Sequence, residues 1–430
     1  MTIPQSGVPA ARKRRHPADV KRRSFTSLGA LMPEQHNKGV FSQEGYDSTV
    51  NNGAMEELER LLASSSPQGA DAADTVAPEL VDAAIDRARE LEDSRWAVGI
   101  ELLPYRLVAT LIDKKGRRLL DGHRRLKDMS VSHVVAASAA LAKRLVKAAG
   151  LDYLPAGHVA LGLVVGGPVD SEAGVVRFYC KSPPIDRREE LGFTTWHNEP
   201  LGTPLQDQTD WPVAIANDAS ALAVYQRWFG LGRSRSTFAL LVVREGVGGA
   251  YIEDGRLSRA SVEVGQVNSK DLGRPCDCGR EGCIEASAGT RGILSALYDV
   301  TAHLASGGLV GAVQLAEAAD GDVREKVLAA FREAGTGLAH GVGLMINMFA
   351  SPLVVYLPPI LSEPDSNAAT EYLARMRTFT DYTHQAYSGF EVLPQPLGPY
   401  DGAHGAALIA LERRLGVHPE IATDDAEAGR

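Results

Sequence analysis

From Trp96 onward the chain reads as an α/β protein. Two observations carry that expectation, and a third locates the chemistry. Apolar runs of strand length alternate with amphipathic helical stretches from Trp96 to about position 415, the pattern of an α/β fold. Residues 1–53 differ in texture, being polar and turn-rich with few apolar positions. Three of the four cysteines fall within eight positions, Cys276-Asp-Cys278-Gly-Arg-Glu-Gly-Cys283, where Gly279 and Gly282 let a short loop bring three sulfurs to one point.

The 430 residues suggest two or three domains. A formal net charge of −9 and a pI near 5.7 argue against a protein that coats nucleic acid along its whole length. No apolar run approaches the roughly eighteen residues of a membrane span, and the first residues lack the apolar core of a signal peptide. These features, with so few cysteines, predict a cytoplasmic protein with reduced thiols and no membrane partner.

Taken in order, residues 1–53 read as a disordered tail. Arg12-Lys-Arg-Arg15 and Lys21-Arg-Arg23 place seven basic residues against one acidic residue between positions 11 and 24. Such a run is a solvated arm or an arm for DNA phosphate or a membrane surface. Residues 54–93 read as a helical extension. Met55, Leu58, Leu61 and Leu62 recur at helical spacing, Ser64–Gly69 is a linker, and a second helix from Val76 to Leu91 carries Leu80, Ala84, Ala88 and Leu91 on one stripe.

Trp96–Leu102 and Arg106–Asp113 then predict a hairpin, followed by a strand at Arg118–Leu120. A helix capped by Asp128 or Ser130 runs to Lys147 with Gly150 as its stop, and His158–Val165 is a buried strand leading into Gly166–Asp170. Ala214–Asn217 is a strand end feeding a helix that runs to about Phe229. Asn217-Asp218 at that junction either caps the helix or presents an amide and a carboxylate to a cleft. Phe238–Val243 and Leu353–Leu357 are further buried strands, helices fill most of Ala288–Phe349, Phe390–Leu393 is a late strand, and Gly402–Ala407 opens a last helix.

The order Glu263-Val-Gly-Gln266, then Cys276–Cys283, then Glu285 resembles the signature of the ROK family (repressors, open reading frames and sugar kinases), G-E-x-G-H followed by C-x-C-G-x-x-G-C-x-E. The resemblance spans about residues 96–415. It implies a two-lobed actin/hexokinase-like, ribonuclease H-like fold carrying an N-terminal extension: one lobe over 94–215, a second over 216–400 with the cysteine knuckle, a closing helix at 401–418 on the first lobe, and a tail at 419–430. It also implies a homodimer or homotetramer.

For the site, the resemblance implies Asp218 as the general base of a kinase, vestigial here, and Asn217, Asp218, Glu263, Gln266 and Glu285 around a monosaccharide or sugar phosphate. Zinc in the family is held by the histidine and three cysteines, which makes Cys276, Cys278 and Cys283 the metal ligands. The histidine position is Gln266, whose neutral amide is a weak zinc ligand, so Asp271, Asp277 or a water is left to complete a tetrahedron if zinc binds.

Three departures from the family pattern bear on ATP. The first hairpin turn, D-x-G-G-T in the kinases, is replaced by Glu101, Leu103, Pro104 and Tyr105. The second loop, G-T-G-V-G-G, is Arg244-Glu-Gly-Val-Gly-Gly249, and the glycine pair after the strand at 353–357 is Pro358-Pro359. Proline offers no amide donor, and Glu245 sets a carboxylate against phosphate. No ATP cofactor is therefore expected. The expectation is a sugar-responsive transcriptional regulator; a sugar kinase and a pseudokinase scaffold that does not bind DNA are the alternatives. The family's regulators carry a winged helix-turn-helix ahead of the fold, which would place DNA at the N-terminal region, although residues 1–53 are thin in apolar residues for a packed three-helix core.

Overall fold

Two five-stranded sheets with the same strand order frame the protein, as seen in a computed structural model that describes residues 94–181, 194–258, 262–297 and 308–419. The expected basic tail, the helices at 54–63 and 76–91 and the end of the chain lie outside the described residues. All described residues belong to one unit, Asp71–Arg430. Among them no helix is long and apolar enough to cross a membrane.

The first sheet is built from β1 (Trp96–Leu103), β2 (Arg106–Asp113), β3 (Arg118–Arg125), β4 (Val159–Val165) and β8 (Val213–Asn217), in the order β3-β2-β1-β4-β8. The first three form an antiparallel meander, and β4 and β8 continue it in parallel. Helix α1 (Val131–Ala148) crosses between β3 and β4 and buries Val134, Leu141 and Leu145. Asp128 accepts from the Ser130 amide just ahead of it, and Gly150 at φ 66 turns the chain away after it.

A small sheet not anticipated from the sequence joins β5 (Val169–Asp170), β6 (Val175–Lys181) and β7 (Thr194–Pro200), with α2 (Gly202–Thr209) leading to β8. Helix α3 (Asp218–Phe229) follows, capped by Asn217, whose side chain accepts from the Ser220 amide at 3.2 Å.

The second sheet repeats the pattern with β9 (Phe238–Val243), β10 (Val247–Glu253), β11 (Arg256–Leu257), β12 (Leu353–Leu357) and β13 (Val392–Pro396), in the order β11-β10-β9-β12-β13. Again three antiparallel strands are followed by two parallel ones. The helices α4 (Ile284–Ala288), α5 (Thr290–Ala296), α6 (Gly308–Ala318) and α7 (Gly321–Phe349) follow the cysteine loop. Then α8 (Pro359–Ser362) and α9 (Asn367–Met376) separate β12 from β13. The late strand begins at Val392 rather than Phe390, because the ladder to β12 opens with Leu353 opposite Val392. Its two prolines are tolerated on an edge.

Helix α10 (Asp401–Leu415) lies on the first sheet. A Cβ on Gly162 would come 2.0 Å from the Ala406 carbonyl oxygen, and one on Gly99 would come 1.8 Å from that of Ala403. Glycine at both strand positions lets the helix backbone lie directly on the sheet.

Candidate functional site

Parallel strands end on the same side, and ligands in open α/β sheets bind beyond those carboxyl ends. Here β1, β4, β8 and β9 deliver the Pro104 turn, Gly166–Pro168, Asn217-Asp218 and Arg244–Gly246 to one cavity of about 540 Å³. The cavity brings together every polar residue the sequence proposed for a sugar: Asn217, Asp218, Glu263, Gln266 and Glu285.

Their surroundings define what each can do. Both ends of the Asn217 amide already serve the fold, since Nδ2 donates to the Gly167 carbonyl at 2.9 Å while the oxygen caps α3. One donor and one lone pair remain for a ligand. The Asp218 carboxylate, which lines the cavity, accepts from the Ala219 amide at 2.9 Å through one of its two oxygens. Glu285, in the first turn of α4, accepts from the Val247 amide at 3.2 Å and from Gln266 Nε2 at 3.2 Å. Gln266 in turn receives Arg280 on its side-chain oxygen at 3.3 Å and on its main-chain oxygen at 2.7 Å.

The cysteine loop folds as the spacing requires. Gly282 sits at φ 77, and a Cβ there would lie 2.4 Å from the Leu272 carbonyl oxygen, so only glycine closes this turn. The three sulfurs of Cys276, Cys278 and Cys283 lie within 4.8 Å of one another. Cys278 and Cys283 are 3.6 Å apart, near the roughly 3.8 Å that two thiolates take around one tetrahedral zinc with ~2.3 Å bonds. Burial raises the Cys278 thiol, but Arg280, 3.4 Å from its sulfur, and the neighbouring cysteines outweigh burial and bring it down to about 7. Burial raises the Cys276 and Cys283 thiols. The donor set fits a zinc ion held by Cys276, Cys278 and Cys283. The Gln266 amide is engaged by Glu285 and Arg280, and Asp277 pairs with Arg291.

The two glycine-loop positions hold an arrangement that sequence reasoning missed. The Arg244 guanidinium, next after β9, pairs with the Glu101 carboxylate of β1, which is 1% exposed. The partners are 143 residues apart, so no local signal links them. Burial raises the Glu101 carboxyl, opposed by Arg244. Burial lowers the Arg244 guanidinium, but Glu101, Asp218 and Asp401 together hold it raised, while the Glu101 carboxyl stays above the ordinary carboxylate range. Gly402 makes room for the pair, since a Cβ there would lie 2.4 Å from the Glu101 carboxylate. One backbone donor of each loop is also engaged internally. The Tyr105 amide faces Met129 Sδ at 3.2 Å, and the Val247 amide donates to Glu285.

The ROK family model matches residues 106–413. A glucokinase from Thermotoga maritima is 30% identical over 274 residues, which cover 59% of this chain and 79% of that protein. A xylose repressor from Bacillus subtilis is 22% identical over 324 residues, covering 74% of this chain and 78% of the repressor. Among solved structures, a ROK hexokinase from Thermus thermophilus superposes with a TM-score of 0.56 at 25% identity, covering 74% of this chain and 98% of that one. The actin/hexokinase-like fold, the duplicated sheet order and the matched span agree, and the chain belongs to the ROK family.

Proposed function

We propose that this protein is a sugar-responsive transcriptional regulator whose cleft binds a monosaccharide without phosphorylating it. The observation that carries the reading is the buried Glu101–Arg244 pair. It joins the two loops that in the family's kinases hold nucleotide phosphates, and it fills with protein charge a place where those enzymes need free backbone donors. Pro104, Glu245 and Pro358-Pro359 act in the same direction. The similarity to a xylose repressor over 74% of this chain supports the regulator side of the family.

In this reading Asp218, Glu263, Gln266 and Glu285 supply hydrogen bonds to ring hydroxyls, and Asn217 adds its remaining donor. Cys276, Cys278 and Cys283 hold a zinc ion whose contribution is to fold the knuckle that presents Glu285. Asp218 keeps the position of a general base with no phosphate donor to act on.

The test has two arms. A coupled assay with ATP across hexoses and amino sugars is expected to give no turnover above background; turnover abolished by Asp218→Ala would favour the kinase instead. Mobility shifts against genomic fragments, with and without residues 1–53, are expected to show one preferred fragment that a sugar releases. Equal weak binding to all fragments, or none, would remove the regulator assignment.

A further inference from the structure

The residues proposed from sequence come from the β8–α3 junction and the cysteine loop. In the same cavity, β6 contributes a polar group to which the fold gives no answer. Tyr179 lines the cavity and is 1% exposed, its ring against Trp196 at 4.7 Å, and its hydroxyl has no hydrogen-bond partner among the described residues. Arg244 lines the same cavity and is in a similar state. One end of its guanidinium meets Glu101, while Nε is buried without a partner among the described residues. Unpaired buried donors are costly and rare in native folds, so two among the residues lining one cavity argue for an acceptor brought by a ligand.

Charge selects the kind of acceptor. Asp218, Glu245, Glu263 and Glu285 line the same space. Burial, then the charges of Glu245 and Asp218, keep the Tyr179 proton in place. A phosphate or carboxylate would satisfy Tyr179 and Arg244 but would face those acids in a cavity where repulsion is weakly screened. An ammonium would suit the acids and leave the Arg244 Nε donor unmet. A hydroxyl answers both, because it accepts from Tyr179 or Arg244 and donates to a carboxylate.

We infer that Tyr179, from β6, and Arg244, from the end of β9, are further ligand-binding donors of this cleft, which takes an uncharged hydroxyl and selects polyols over their phosphate esters. This rests on the cleft being a sugar site. Isothermal titration of the full-length protein with neutral hexoses and with their 6-phosphates, on wild type and Tyr179→Phe, tests it alongside the melting temperature of each protein without ligand. The substitution deletes an unpaired hydroxyl, so the melting temperature is expected to hold or rise, while affinity for the hexose that binds wild type falls about fivefold. Wild type is expected to bind that hexose more tightly than its 6-phosphate. Equal hexose affinity in the two proteins would mean that the hydroxyl is satisfied by water, which overturns this role but leaves the sugar reading standing. A 6-phosphate that binds more tightly than its parent overturns the choice of an uncharged group. If no hexose binds wild type, the sugar reading and this role fall together.

Discussion

His404 lies in the first turns of α10, 4% exposed, with Nε2 2.8 Å from the Gly116 carbonyl and its ring against Tyr225 and Phe229. Burial lowers its pKa to about 4, whereas an unfolded histidine titrates near ~6.5. Above that value both states are neutral and the stabilising contribution is complete. It is lost as pH falls toward about 4, where the unfolded chain takes up the proton that the folded one refuses, and the loss amounts to about 3 kcal/mol. Acid unfolding followed by circular dichroism should therefore show a steep limb below about pH 6.5, flattened in His404→Leu; an unchanged limb would assign it to other groups. The Glu101–Arg244 pair predicts a different pattern. Arg244→Met leaves a carboxylate 1% exposed without its partner and should cost about 3–5 kcal/mol in denaturant unfolding, while adding Glu101→Leu should recover most of that. Equal losses in the single and double variants would mean that packing, not charge, is at stake. Asn217-Asp218 was legible in the sequence because a cap and a strand end are local features; this ion pair was not, because it forms between loops far apart in the chain.

At the level of elements, the contact of α10 with the first sheet depends on bare backbone. Gly162→Ala would drive a methyl to 2.0 Å from a carbonyl oxygen that cannot swing aside, so the helix must lift from β4. The expected loss exceeds about 3 kcal/mol in equilibrium unfolding. A cost below about 1 kcal/mol would show that the helix shifts freely. The strongly patterned strands and helices were legible to within a residue or two: β9 and β12 are continuous apolar runs, β1 and β2 are apolar but for a few polar positions, and α3 starts at the residue after its cap. The small sheet was not. β7 reads Thr-Thr-Trp-His-Asn-Glu-Pro, with Trp196 its one buried side chain, so it has no face that a period-two pattern could expose. Tyr179 escaped notice for the same reason, because its meaning comes from pairing opposite Trp196 at the cavity wall.

At the level of the whole molecule, the cysteine loop ties the second sheet's helices to the cleft, since Glu285 follows Cys283 by two residues and opens α4. Metal analysis should find about one zinc per chain, and chelation should lower the melting temperature. Gln266→His should tighten metal binding by offering an imidazole in place of an amide. Zinc-free protein whose melting temperature is indifferent to Cys276→Ser would make the loop a packed turn. The family signature made the members of this site readable, and the spacing alone made the sulfurs converge. What no spacing conveys is how the cavity's charges are already engaged. That engagement has a consequence for how the cleft can change. Once a carboxyl on β1 and a guanidinium after β9 pair with one another out of water, replacing either alone strands the other, so any change to this part of the cleft made one residue at a time passes through a less stable protein.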